Sequence, residues 1–149
     1  MARGLSRWLV VGALALLVVA ACGTQTVKVV GDSMAPTLKN GDIRLVDTGA
    51  YNSASPKRKD IIEYHSGYNS IGRVIGLPGE TIGIANGKVS VNGAPLAEPY
   101  LAPGTQTTAP QDTYSVPSGS YFVLKDNRER AEDSRTLGFV PRSAIEGKL

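Results

Sequence analysis

Thr81-Ile82-Gly83-Ile84-Ala85-Asn86-Gly87-Lys88-Val89-Ser90-Val91-Asn92-Gly93 decides the fold class of this chain. Two short runs rich in β-branched residues flank Asn86-Gly87, and a second Asn-Gly pair follows at once. Asn-Gly between alternating runs is a strong hairpin signal, because the tight hairpin turn needs residues that accept a positive φ. The same grammar continues in both directions. Upstream, residues 24–30 end in an alternation of Val27, Lys28 and Val29 and read as a first strand. The turn signal Asn40-Gly41-Asp42 precedes a strand at 43–46. Further strands are expected at 61–64 and 71–75, the second closed by Leu77-Pro78-Gly79. Downstream, 121–124 reads as a strand, and Phe139-Val140-Pro141 with Ile145 begins a last edge segment. Between these lie a turn at 34–38, a polar loop at 48–59, a short connection at 65–70, a Pro/Gly/Thr loop at 101–113 and a charged, turn-like segment at 125–136. Nothing after residue 23 has the pattern of a long helix, so the expected class is all-β.

The bulk properties narrow the function. The chain has 149 residues, room for one domain with a real core. A net charge of +3, with no long Lys/Arg run and no aromatic-basic alternation, gives no footprint for nucleic acid. Cys22 is the single cysteine and His65 the single histidine, which excludes an intramolecular disulfide and argues against a Cys/His zinc site. There is no internal repeat and no heptad pattern.

The N-terminus points to export. Arg3 and Arg7 precede an apolar run of about 14 residues from Trp8 to Ala21, short against the roughly 20 needed to span a bilayer. A short apolar run behind a basic start reads as a signal or anchor occupying residues 1–23. It ends Val19-Ala20-Ala21-Cys22, which resembles a bacterial lipoprotein processing box with Cys22 as the lipid attachment site. The same residues also read as the end of an uncleaved anchor. Both readings place the arginines in the cytoplasm and residues 24–149 outside, at the surface of the cell membrane.

Directly after this segment stands Gly31-Asp32-Ser33-Met34-Ala35-Pro36-Thr37-Leu38. A serine between a glycine and a proline suits an exposed nucleophile, but a hydroxyl needs a base to become one. Further blocks follow in order: Gly41-Asp42-Ile43, Arg73-Val74-Ile75-Gly76-Leu77-Pro78-Gly79-Glu80, Asn92-Gly93, Glu98-Pro99-Tyr100, Asp126-Asn127-Arg128 and Asp133-Ser134-Arg135. The serine segment alone is shared with LexA-type self-cleaving repressors. The full set resembles the type I signal peptidases over nearly the whole exported region.

The resemblance implies a signal-peptidase-like, LexA-like β-barrel-type domain with a small hairpin insertion at about 81–113. It implies a membrane-associated serine endopeptidase that removes signal peptides from exported preproteins with a Ser-Lys pair, using no cofactor, metal or histidine. By position Ser33 is the nucleophile. Its amide and a donor near Gly31 would hold the oxyanion; Gly31 has no hydroxyl, so a backbone amide or a water must serve. Arg73 with Asp126, and Asp133 with Arg135, would be ion pairs shaping the site floor.

The pattern breaks at the base. The family's lysine precedes Arg73, and here that position is Gly72. Lys125 stands where the family has glycine before Asp-Asn-Arg, Ala131 where it has a serine that hydrogen-bonds the catalytic amine, and Lys59 where a glycine precedes Asp-Ile. The reciprocal exchange of glycine and lysine suggests that the base has moved to Lys125, in space vacated at position 72. Other candidates are Lys59, in the basic run Lys57-Arg58-Lys59, and His65. The alternative is an inactive relative that binds exported peptides or partners an active peptidase.

Overall fold

The computed structural model describes residues 23–130 and 132–149, so Cys22, the N-terminal segment and Ala131 lie outside the described residues. Eleven strands are laid down: β1 Thr24–Lys28, β2 Ile43–Asp47, β3 Ile61–His65, β4 Asn69–Gly76, β5 Thr81–Ala85, β6 Lys88–Val91, β7 Ala94–Pro95, β8 Thr113–Ser115, β9 Ser120–Leu124, β10 Val140–Pro141 and β11 Ile145–Lys148. Among the described residues the helical elements are a single turn, α1 Ser134–Leu137, and a 3-10 turn at Arg142–Ala144. The expected all-β class is what the chain adopts.

Seven strands form one antiparallel sheet in the order β1-β2-β11-β3-β4-β9-β10, and four form a second in the order β7-β6-β5-β8. The second sheet is built on the β5–β6 hairpin around Asn86-Gly87. Asn86 and Gly87 both have positive φ, and so do Asn92 and Gly93, as tight hairpin turns require. Its inner face (Ile82, Ile84, Val89 and Tyr114) packs with Ile75, Phe122 and Leu124 of the larger sheet in one apolar cluster. A second cluster joins Ile62, Tyr64, Val74, Val123 and Ile145. A third, smaller one seats Val29, Met34 and Leu38 against Ile61 and Ile71.

Several local expectations change. Strands β7 and β8 flank the hairpin where no strand was expected, and the turn-like segment at 125–136 runs into the helical turn α1. The chain end is not all edge: β10 lies at the sheet's margin, but β11 runs between β2 and β3. Gly147 makes this fit, since a Cβ there would meet Val46 Cγ1 at 2.6 Å and the Asp47 carbonyl oxygen at 2.7 Å. Strand insertion by a terminal segment depends on partners about a hundred residues away, which local pattern does not carry. His65 is also not in a loop. It closes β3 and pairs with Asn69 of β4, because the connection is tighter than its Gly/Asn/Ser composition suggests.

Candidate active site

The serine segment is held from below and from the side. Met34 and Leu38 are buried in the small cluster, and Leu38 N–H donates to the Met34 carbonyl at 3.0 Å, closing one turn. Asn127 clamps the segment laterally: its N–H donates to the Ser33 carbonyl at 3.0 Å and its side-chain amide to the Asp32 carbonyl at 3.2 Å. Ser33 is thereby pinned at the mouth of a groove of about 650 Å³ whose walls include Val29, Ser33, Glu63, Ser70, Ile71 and Lys125.

Lys125 follows β9, and its position explains the glycine at 72. The ladder between β4 and β9 pairs Arg73 with Leu124. One further step sets Gly72 opposite Lys125, and residues directly opposite in an antiparallel pair carry side chains on the same face. A Cβ on Gly72 would meet Val123 Cγ1 at 2.5 Å and Tyr64 Cε1 at 3.3 Å. The space beside Gly72 is therefore filled, and the amine rises from the neighbouring strand.

The backbone of Lys125 is fixed on both sides. Its N–H donates to Asp133 Oδ2 at 3.0 Å, and its carbonyl accepts from Arg128 Nε at 2.9 Å. The residue is 5% exposed. Nζ donates to Ser70 Oγ at 2.5 Å and to the Ile71 carbonyl, and lies 5.6 Å from the centre of the Tyr64 ring. No carboxylate touches it among the described residues. Burial disfavours the ammonium and brings its pKa down to about 8, against a smaller upward pull from Asp133 and Glu132. A neutral amine has two N–H bonds and one lone pair. With two acceptors already in place, the lone pair is the valence left for the groove.

Ser70 was not singled out by sequence. It lies in what reads as a loop, and its role appears only once β4 is seen to begin at Asn69. The signal available was chemical: the expected serine partner of the amine is missing at 131, so another hydroxyl near the base was worth seeking.

The expected ion pairs are present. Arg73 grips Asp126 with two hydrogen bonds, Nε to Oδ1 at 2.8 Å and Nη2 to Oδ2 at 2.6 Å. It also donates to the Lys59 carbonyl at 3.0 Å and stacks 3.9 Å over the Tyr100 ring. Thr37 Oγ1 donates to Asp126 Oδ2 at 2.5 Å, tying this pair to the serine segment. Arg135 holds Asp133 in the same two-pronged way, both contacts at 2.8 Å, while Asp133 also caps α1.

Three other residues stand apart from the amine chemistry. Gly31 has φ +79°, and its N–H donates to Asn40 Oδ1 at 2.9 Å. That amide is occupied, leaving the Ser33 N–H, like those of Asp32 and Met34, without an acceptor among the described residues. Lys59 is exposed, with φ 73°; it takes a glycine-like backbone shape and does not line the groove. His65 is exposed, pairs with Asn69 Oδ1 at 3.1 Å and faces a different pocket. Neither competes with Lys125 on geometry. Among the described residues no cluster of His, Cys, Asp and Glu could hold a metal ion.

Comparison with known proteins agrees with this architecture. A family model described as signal peptidase, peptidase S26, matches residues 2–149. Signal peptidase I of Leptolyngbya laminosa is 40% identical over 129 residues, covering 78% of this chain and 62% of that protein. Signal peptidase I of Bacillus caldolyticus is 39% identical over 133 residues, covering 80% of this chain and 73% of that protein. Signal peptidase IB of Staphylococcus aureus is 31% identical over 170 residues, covering 100% of this chain and 89% of that protein. The chain thus spans less than two thirds of the length of the Leptolyngbya relative and most of the Staphylococcus one. A crystal structure of a signal peptidase I from Enterococcus faecalis superimposes with a TM-score of 0.56 at 37% identity, over 64% of this chain and 97% of that one. The chain belongs to the signal peptidase, peptidase S26, family.

Proposed function

We propose that this protein is a membrane-associated serine endopeptidase that removes signal peptides from exported preproteins, with Ser33 as nucleophile and Lys125 as a relocated general base. The observation that carries the reading is the Lys125 amine: buried in the groove wall that Ser33 shares, with acceptors for both protons of its neutral form. A lysine serves as base only when neutral, and burial among neutral partners favours that form.

The chemistry follows from these groups. Ser33 Oγ attacks the scissile carbonyl carbon as its proton passes to the Lys125 lone pair. The Ser33 N–H faces the oxyanion, and water supplies the donor that Gly31 does not. Collapse breaks the C–N bond, and the leaving amine takes the proton back from Lys125. Water, deprotonated by Lys125, then hydrolyses the acyl ester and frees Ser33. Arg73–Asp126 and Asp133–Arg135 hold the two backbones at the right separation. The substrate's extended segment adds to a strand edge beside Ser33, and a signal or anchor at 1–23, with Cys22 acylated if the lipoprotein reading holds, keeps the enzyme beside its substrate outside the cytoplasmic membrane. Among the described residues no helix is long and apolar enough to cross a membrane. The mass of the mature N-terminus decides between lipoprotein and anchor.

One observation favours a non-cleaving, peptide-binding relative: no hydrogen bond joins Ser33 Oγ to Lys125 Nζ among the described residues. Catalytic hydrogen bonds often tighten only with substrate in place, which is why the active reading is preferred. The full chain in detergent, offered a preprotein with an Ala-x-Ala site, separates the two. Cleavage that is lost in Ser33→Ala and Lys125→Ala and kept in Lys59→Ala supports the peptidase. Binding without cleavage supports the alternative.

A further inference from the structure

Three carboxylates are buried among the described residues, and they are not alike. Asp126 and Asp133 each sit in the fork of an arginine. Glu63, 3% exposed, has no cation. Its one side-chain partner is the Gln25 amide, which donates to Oε2 at 2.6 Å. Oε1 has no hydrogen-bond donor among the described residues, yet no fully buried side-chain oxygen is left unpaired, so Oε1 is not sealed from solvent, and Glu63 lines the groove. Glu63 pairs across β3–β4 with Ile71, whose carbonyl receives the Lys125 amine. A carboxylate offers about four acceptor sites, and a buried one is costly without a partner.

Resting on the peptidase reading, we propose that Glu63 forms the floor of a substrate subsite that takes a basic side chain on the acyl side of the cut. The groove supplies the apolar wall, from Val29 and Ile71, along which the methylenes of a lysine or arginine can lie. Glu63 Oε1 supplies the acceptor at its end. Lys28 and Arg130 also line the groove, but neither forms an ion pair with Glu63, so the acceptor is not filled from within. A preference for small residues nearest the cut and a basic residue at one defined position is the resulting specificity.

The test uses the full chain and a set of Ala-x-Ala peptides carrying Lys, Gln or Met, one at a time, at each of the first five positions before the cut. For each position kcat/KM is expressed as the Lys-to-Met ratio, which cancels any general change in activity. The same ratio is measured as Kd with the Ser33→Ala variant, which reports binding without cleavage. At one position wild type should favour Lys over Met by about 10-fold or more, with Gln between them. Glu63→Gln, a near-isosteric change checked by thermal unfolding, should collapse that ratio toward one. Glu146→Gln, an exposed acid outside the groove, should leave it as in wild type and so excludes a general charge effect. A ratio near one at all five positions in both measurements, or a preference that survives Glu63→Gln, overturns the proposal. If wild type cleaves no peptide, the peptidase reading falls, and the Kd ratios still decide the subsite.

Discussion

Lys125 and Arg73 are buried basic residues, one just past β9 and one on the adjoining β4, and the protein treats them in opposite ways. Arg73 meets a carboxylate with two prongs, a backbone carbonyl and an aromatic face. Lys125 meets a hydroxyl, a carbonyl and the Tyr64 ring, all neutral. A guanidinium stays charged in proteins and needs compensation, whereas an ammonium can shed its proton when compensation is withheld. The contrast separates a buried charge that is compensated from one that burial disfavours, which is what the proposed base requires. It also explains why the two neighbours are not interchangeable.

The sharpest way to break the comparison is to remove each head group in turn. Arg73→Met leaves Asp126 buried without its cation and should cost about 3–5 kcal/mol, read as a fall in the denaturation midpoint at pH 7. Lys125→Met removes an amine whose burial disfavours its charge, so it should cost far less at that pH. The sign can be checked independently. The pKa of Lys125 is lowered in the folded protein to about 8, so between about pH 8 and the ordinary lysine value the unfolded chain binds more protons. Wild-type stability should therefore rise with pH through that window relative to Lys125→Met. Equal losses for both variants would erase the distinction.

Ser70→Ala probes the neutral side alone. It frees the amine to rotate away from the groove, and kcat should fall about 10- to 100-fold with KM little changed. It also removes an acceptor that favours the ammonium, so the inflection in the pH–rate profile should move down. A purely structural Ser70 would leave that inflection in place.

Gly72→Ala tests the packing that excludes a lysine from its usual strand. The added methyl meets Val123 Cγ1 at 2.5 Å and should destabilise by about 1–3 kcal/mol. Gly72→Lys in a Lys125→Gly background should then fail to restore cleavage unless Val123 is also made smaller. The smallest effect is expected at Lys59, which holds φ 73° with an exposed side chain. Lys59→Gly should stabilise by about 1 kcal/mol, since only its backbone is used, by Val74 and Arg73.

These residues also show how far sequence reading reaches. Asn86-Gly87 and Asn92-Gly93 dictate their turns locally, so the β5–β6 hairpin was legible from the chain alone, while β7 and β8 that flank it were not. The pairing of Arg73 with Asp126 and of Asp133 with Arg135 was legible through ordered blocks. The placement of β11 was not, because a strand's neighbours are set by long-range packing rather than by its own residues. Ser70 and Glu63 were missed for a related reason. Ser70 meets the Lys125 amine 55 positions away and Glu63 lies opposite Ile71, and such neighbours are invisible until strands are paired. The engagement of the Gly31 amide by Asn40 likewise belongs to the folded turn.

The central claim is that the Lys125 amine is the base for Ser33, and the pH dependence of kcat/KM tests it most directly. The full chain should gain activity as pH rises, with an inflection near 8 that follows deprotonation of Lys125. Lys125→Ala should lie about 10²- to 10⁴-fold lower and lose that inflection. A Lys125→Ala profile that keeps both the wild-type rate and the inflection would contradict the account.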